Sequence, residues 1–232
     1  MRFSACGASV IGPRHLDLGE PNQDALMLSG CAGGWVAAVA DGLGSRPQSD
    51  LGARRACQVS RRVLRELAHG TSPWAALHRI HGLWLDAIRP VLPKDAATTL
   101  LITRVERNGR VFAAQLGDGM LAIRSRGNIH CITPERDGFG NQTWALDSVF
   151  REARWHIAES ELIQPGDGVV MMTDGVGDDI REGALSEFMD ALFENALKRK
   201  RRRGRRWLEN ELRDWATPMH SDDKTLASIF RV

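Results

Sequence analysis

Tyrosine is missing altogether from this chain of 232 residues, and cysteine occurs only four times, as Cys6, Cys31, Cys57 and Cys131. These cysteines are far apart and form no paired motif, which argues against a zinc site built from them and leaves reduced, mostly buried thiols. No run approaches the roughly 20 consecutive apolar residues that span a bilayer, and the first residues lack the apolar core of an export signal. The expected compartment is therefore the cytoplasm. No internal repeat, coiled-coil heptad or low-complexity linker divides the chain, so one domain over 1–232 is expected. His78, His81, His156 and His220 have no mutual spacing that suits a metal. Neither sign of charge dominates, with a net charge of +2. Outside one basic block at 198–206 the rest of the chain is mildly acidic, which argues against a protein devoted to nucleic acid. Tryptophan occurs seven times, a bias with no functional reading.

Charge is concentrated in one place: residues 198–206 read KRKRRRGRR, from Lys198 to Arg206. The run has neither interleaved aromatics nor zinc-finger spacing, so specific nucleic-acid recognition is not expected. It reads as a solvated helix end or a docking patch for an acidic partner, with Gly204 breaking the segment before Trp207.

Acidic residues gather at three points: Ala40-Asp41-Gly42-Leu43-Gly44, Thr173-Asp174-Gly175 and Ser221-Asp222-Asp223-Lys224-Thr225. Residues 35–40 form an apolar run halted by Asp41-Gly42, and 168–173 form another halted at Asp174. Each Asp-Gly pair follows a strand candidate where glycine lets the backbone turn sharply and expose a carbonyl beside the carboxylate. Taken singly, each pair also fits an ordinary turn. Carboxylates gathered by folding need a positive charge between them, and Mg²⁺ or Mn²⁺ suits hard oxygen donors.

The remaining pattern supplies the layers. Asp50 opens a helix along Ala53, Ala56, Val63, Leu64 and Leu67, ended by Gly70, and Ser72-Pro73 opens a second along Trp74, Leu77, Ile80 and Trp84, closed by Pro90. Residues 98–105 and 110–116 are β-rich around the turn at 106–109, and 120–124 pairs with 128–132 across 125–127. Gly117-Asp118-Gly119 fits a tight hairpin corner between neighbouring strands. Two more helices follow, one along Leu185, Met189 and Leu192 and one along Leu208 and Leu212, before a last strand at 225–232. Helices in two blocks separated by antiparallel hairpins point to layered sheets covered by helices.

In order along the chain, Asn22-Gln23-Asp24, Val39-Ala40-Asp41-Gly42-Leu43-Gly44, Thr98-Thr99-Leu100, Leu116-Gly117-Asp118-Gly119, Thr173-Asp174-Gly175 and Asp222-Asp223-Lys224-Thr225 together resemble the metal-dependent protein phosphatases of the PP2C family. The resemblance implies an α+β fold, a four-layer α-β-β-α sandwich with two central antiparallel sheets flanked by helices. It implies a serine/threonine phosphatase using two Mn²⁺ or Mg²⁺ ions, with a possible third, and a metal-activated water that attacks phosphorus without a phosphoenzyme. Asp41 would bridge the two ions, the Gly42 carbonyl would help hold one, and Asp174 and Asp222 would complete the set. Asp118 would serve the additional, weaker position, and Asp24 would act indirectly through water. Gln23 stands where the family commonly has glutamate, which implies weaker metal affinity and allows, as an alternative, a catalytically weak regulatory or phosphoprotein-binding domain. Arg14 is the local candidate for the phosphate arginine, and His15, in an expected surface loop, for a proton donor or phosphate ligand. Leu43 replaces the histidine of many eukaryotic members and resembles bacterial types, with a phosphorylated protein, a bacterial kinase or its target, as the implied partner.

Overall fold

The computed structural model describes residues 1–68, 70–133, 143–181, 183–215 and 221–232. Strands β1 (Phe3–Val10), β2 (Asp24–Cys31), β3 (Gly34–Asp41), β4 (Leu100–Val105), β5 (Arg110–Leu116), β6 (Met120–Ser125), β7 (Asn128–Cys131), β8 (His156–Glu161), β9 (Gly168–Met172) and β10 (Lys224–Arg231) build two antiparallel sheets. One has the order β1-β10-β9-β6-β7 and the other β2-β3-β4-β5-β8. Helices α1 (Pro13–Leu18), α2 (Ser49–Glu66), α3 (Pro73–Ala87), α4 (Asp174–Gly177), α5 (Leu185–Lys198) and α6 (Arg201–Arg213) complete the α+β architecture.

Four layers follow from which faces are apolar. In β3, Val36, Ala38 and Ala40 pack toward Leu64, Ile80 and Trp84 of α2 and α3, while Ala37 and Val39 join the core between the sheets. In β10, Ala227 and Ile229 enter that central core, while Leu226 and Phe230 meet Met189, Leu192, Leu208 and Leu212 of α5 and α6. Strands with both faces covered read as continuous apolar runs, because successive side chains point to opposite faces. This is why 35–40 and 168–172 stand out in the sequence. Each valine, leucine, isoleucine, phenylalanine or methionine side chain fully withdrawn from water contributes roughly 1.5–3 kcal/mol.

Three elements differ from the sequence reading. Residues 117–119 do not form a hairpin corner: β5 pairs with β4 and β8, whereas β6 pairs with β7 and β9. The chain crosses there from one sheet to the other, with Gly117 at φ +103°. Spacing within a β-rich stretch cannot distinguish a hairpin from a crossing, since both need a tight glycine turn. Cys131 is exposed and Cys31 is intermediate, whereas Cys6 and Cys57 are buried. Cys131 ends β7, an edge strand.

Gly204 does not break the basic run. It lies buried inside α6, which begins at Arg201. Burial of Leu208 and Leu212 on the sheet outweighs a glycine penalty of about 1 kcal/mol in a helix interior. A Cβ at Gly204 would meet Asn195 Nδ2 and Cys6 Sγ at 3.6 Å, ordinary contact distance. Gly204→Ala is therefore expected to raise stability by about 0.5–1 kcal/mol, read as a higher denaturant midpoint at unchanged slope.

Candidate metal centre

The acidic residues meet where strand ends of both sheets converge. Asp41 is the last residue of β3, Asp174 opens the single turn α4 after β9, Asp118 sits at the sheet crossing, and Asp222 precedes β10. A cleft of about 180 Å³ is lined by all four, together with Arg14, His15, Gln23, Gly42, Leu43, Thr99 and Thr143. Asp41, Asp118 and Asp174 offer carboxylate oxygens within 4.8 Å of one another. Asp222 belongs to an adjoining cluster, with His15 and Asp223.

Asp41 is fixed through its backbone. Thr99 Oγ1 accepts its N–H at 2.9 Å, and Thr98 Oγ1 and the Thr99 N–H both donate to its carbonyl at 2.8 Å. The glycines beside Asp41 and Asp174 serve close packing, not a left-handed turn, since neither has positive φ. A Cβ on Gly42 would fall 2.6 Å from the Ser49 backbone at the start of α2, and one on Gly175 would fall 2.0 Å from the Asp223 carbonyl. The Asp-Gly signal was therefore informative for a different reason than the turn it suggested. At the crossing, buried Gln115 donates from Nε2 to the carbonyls of Gly117 and Gly119, and Thr143 Oγ1 donates to Asp118. Gln115 is a supporting residue that nothing in the sequence marks.

Asp24 does not line the cleft. It lies behind Asp41, its partner in the β2–β3 register. Thr173 Oγ1 donates to its Oδ2 at 2.8 Å, whereas its buried Oδ1 has no partner among the described residues. Gln23 does line the cleft, with Oε1 accepting a hydrogen bond from Ser49 Oγ at 3.1 Å.

His15 is not in a surface loop: it lies on α1 with 5% exposure. Its Nδ1 is 2.9 Å from Asp223 Oδ2, a close contact off the line of an aligned hydrogen bond. His15 alone of α1 is buried, and Asp223, just before β10, ties the segment down around it. Asp223 Oδ1 accepts the Gly12 N–H at 2.7 Å and Oδ2 accepts the Gln23 N–H at 2.7 Å. Arg14 is exposed, forms no side-chain ion pair among the described residues, and is held by its N–H donating to the Ser221 carbonyl at 3.1 Å. Asp223 is thus the organising residue missed from the sequence, where only the doublet with Asp222 hinted at it. His220 lies outside the described residues.

Electrostatics in the cleft favours a bound cation. Burial pushes the Asp41 carboxyl well above the usual range, and the charges of Asp24, Asp174, Asp222 and Asp118 push it further. Asp174 is pushed up to about 6 by burial, then by Asp118, Asp222 and Asp178. Asp24 is raised chiefly by burial, with the neighbouring hydroxyls of Thr225 and Thr173 opposing. Carboxylates so crowded are costly to ionise together, and a divalent cation relieves that cost. The donors are hard oxygens with no thiolate among them, a set that fits Mg²⁺ or Mn²⁺.

The fold and cleft together define a class: a four-layer sandwich with a carboxylate centre at the edge of its two sheets. The sequence matches the protein phosphatase 2C family over residues 11–215, and the chain belongs to that family. No curated protein gives a significant match to the sequence. Among solved structures, the photosystem II phosphatase PBCP is similar at a TM-score of 0.70 and 17% identity, with 99% of each chain covered. The catalytic domain of the serine/threonine phosphatase PstP, solved with two manganese ions, is similar at 0.66 and 16%, with 98% of this chain and 97% of that one covered. PppA of Pseudomonas aeruginosa, described as a regulatory component of a type VI secretion system, is similar at 0.65 and 18%, with 99% and 97% covered. Among the described residues, no helix is long and apolar enough to cross a membrane.

Proposed function

We propose that this chain is a Mg²⁺- or Mn²⁺-dependent protein phosphatase that hydrolyses phosphoserine and phosphothreonine as a single catalytic domain over 1–232. The observation that carries the reading is the convergence of Asp41, Asp118 and Asp174 within 4.8 Å, in a cleft that also holds Asp222 and Arg14. Asp41 would bridge two cations, assisted by the Gly42 carbonyl, with Asp174 and Asp222 completing the set and Asp118 serving a further, weaker position. Bound there, the cations would supply charge stabilisation for phosphoryl oxygens and lower the pKa of the attacking water.

The rest is done by side chains of the chain itself. Arg14 presents a guanidinium fork to two phosphoryl oxygens, a geometry suited to bidentate bonding. His15, held by Asp223, offers a ring nitrogen beside it for the phosphate or the leaving oxygen. Leu43 contributes no proton and gives the cleft an apolar rim that limits water. Asp24 acts through Thr173, which precedes Asp174, and so sets the direction of that carboxylate.

A second reading is a phosphoprotein-binding domain with weak turnover. It is favoured by the neutral Gln23 amide, whose oxygen already accepts from Ser49. Phosphoserine and phosphothreonine peptides, assayed with Mn²⁺, Mg²⁺ or chelator, separate the two. Turnover should require the ion and fall by about 10³-fold or more in Asp41→Asn, in keeping with loss of a bridging ligand. Metal-independent turnover, or equal activity in Asp41→Asn, would sink the phosphatase reading. Tight phosphopeptide binding without turnover would favour the second. The reading carries with it a cytoplasmic site of action and a substrate phosphorylated by a bacterial kinase.

A further inference from the structure

Away from the carboxylate cleft, a groove of about 740 Å³ runs along the side of the sandwich. Its floor is made by β1 and β2, the end strands of the two sheets, so each presents an edge that no other strand among the described residues covers. Helix α2 overhangs it with Arg54 and Gln58, and α6 with Arg201, Arg202 and Arg205. The basic run therefore has two parts. Lys198 ends α5, while the arginines from 201 onward open α6, with no acidic residue in its first turn. Positive side chains at the positive end of a helix dipole oppose it, where they would have been tolerated at a C-terminus. An anion in the groove reverses that penalty.

Four guanidinium groups from two distant segments face one slot, and much of their bonding capacity is free. Arg54 uses one nitrogen on Asp50 at 2.7 Å, and Arg205 uses one on Glu209 at 2.8 Å. Arg201 stands over the Trp35 ring at 5.1 Å and donates to the Leu28 carbonyl on β2 at 3.4 Å. Arg202 forms no ion pair among the described residues. Each guanidinium carries five donors, so most remain for a ligand. Among the described residues, no lining side chain is aromatic, which disfavours stacked bases. The slot is concave, which disfavours a flat membrane surface. Its floor of strand edges suits an extended polypeptide, which can hydrogen-bond to such an edge while its side chains reach the walls. From Asp24 to Leu28 the floor is about 13 Å long, enough for about four or five residues of extended chain.

We propose that this groove docks an extended acidic peptide segment of a partner protein, gripped by Arg54 from one wall and by Arg201, Arg202 and Arg205 from the other. The groove meets the proposed catalytic region at Asp24, next to Gln23 of the cleft. Docking itself needs no turnover, so its test is independent of the phosphatase reading.

The test is fluorescence anisotropy of a labelled hexaglutamate peptide with the full chain at near-physiological salt, where charges more than about 8 Å apart are largely screened. Saturable binding is expected. Arg202→Glu with Arg205→Glu should weaken it by about tenfold or more, in keeping with loss of two charge-assisted contacts. Arg54→Glu, on the opposite wall, should weaken it comparably, and this arm stands alone if the double variant melts early. Arg203→Glu with Arg206→Glu makes the same charge change outside the groove lining and should alter binding less than about twofold. No saturable binding, or equal losses in the two double variants, would overturn the proposal. So would tighter binding of a single-stranded oligonucleotide or of phosphatidylserine vesicles that is lost in the groove variants and displaces the peptide.

Discussion

Without divalent cations, Asp174→Asn is expected to melt above the wild-type protein at pH 7.5, and with saturating Mg²⁺ or Mn²⁺ the order is expected to invert. The Asp174 carboxyl is raised from 3.8 to about 6, chiefly by burial and then by Asp118, Asp222 and Asp178. Between those values the folded chain holds a proton that the unfolded chain has released. The metal-free fold therefore loses stability as pH rises through this window, and the full cost is present above pH 6. A neutral asparagine removes it. The gain is on the order of 2 kcal/mol, or roughly 5 °C for a chain of this size, and should shrink toward zero near pH 4. A cation at a hundredfold excess over its dissociation constant adds about 2.7 kcal/mol to the wild type, and little to a variant lacking the ligand. Thermal melts of both proteins at pH 4.5, 6 and 7.5, with and without ion, check each part. A metal-free variant that melts below wild type at all three values would refute the electrostatic account of the cleft.

Asp223→Ala is expected to be the most damaging single truncation near the site. The carboxylate is 3% exposed and accepts two backbone N–H groups, from Gly12 and Gln23, as well as facing His15. Its loss leaves the buried Gly12 N–H and the part-buried Gln23 N–H unpaired, at about 1–3 kcal/mol each, for a total of roughly 3–5 kcal/mol and a melting point lower by about 10 °C. Arg14 and His15 sit on the segment released, so phosphopeptide KM should rise even at temperatures where the protein stays folded. Asp223→Asn keeps the shape and one oxygen acceptor, and its loss should be about half as large. Equal melting points for wild type and Asp223→Ala would show that water satisfies those donors.

The layers were legible because strands covered on both faces carry an unbroken apolar signature, as in 35–40 and 168–172. β1 was not, since its small and polar residues, such as Ser4, Gly7 and Ser9, break that pattern while it pairs with a strand at the opposite end of the chain. The same limit applies to the site. Asp41 and Asp174 announce themselves at the ends of apolar runs, and Asp118 sits in a recognisable glycine corner whose sheet-to-sheet crossing only pairing partners reveal. The burial of His15, the bracing by Gln115 and the bonds to Asp223 depend on contacts between distant segments. So does the meeting of Arg54 with Arg201 and Arg205, which no local window contains.

The pairing of β1 with β10 sets Phe3 opposite Arg231, and β10 lies between β1 and β9. As the chain leaves the ribosome, every strand of the β2-β3-β4-β5-β8 sheet emerges before the other sheet can close. That later sheet waits for its inner strand, which arrives just behind Asp222 and Asp223. The carboxylate centre is consequently among the last features to be assembled during synthesis. A nascent chain stalled before residue 222 would lack Asp222, Asp223 and the strand that joins β1 to β9, so its carboxylate cleft would be incomplete whatever the state of the earlier sheet.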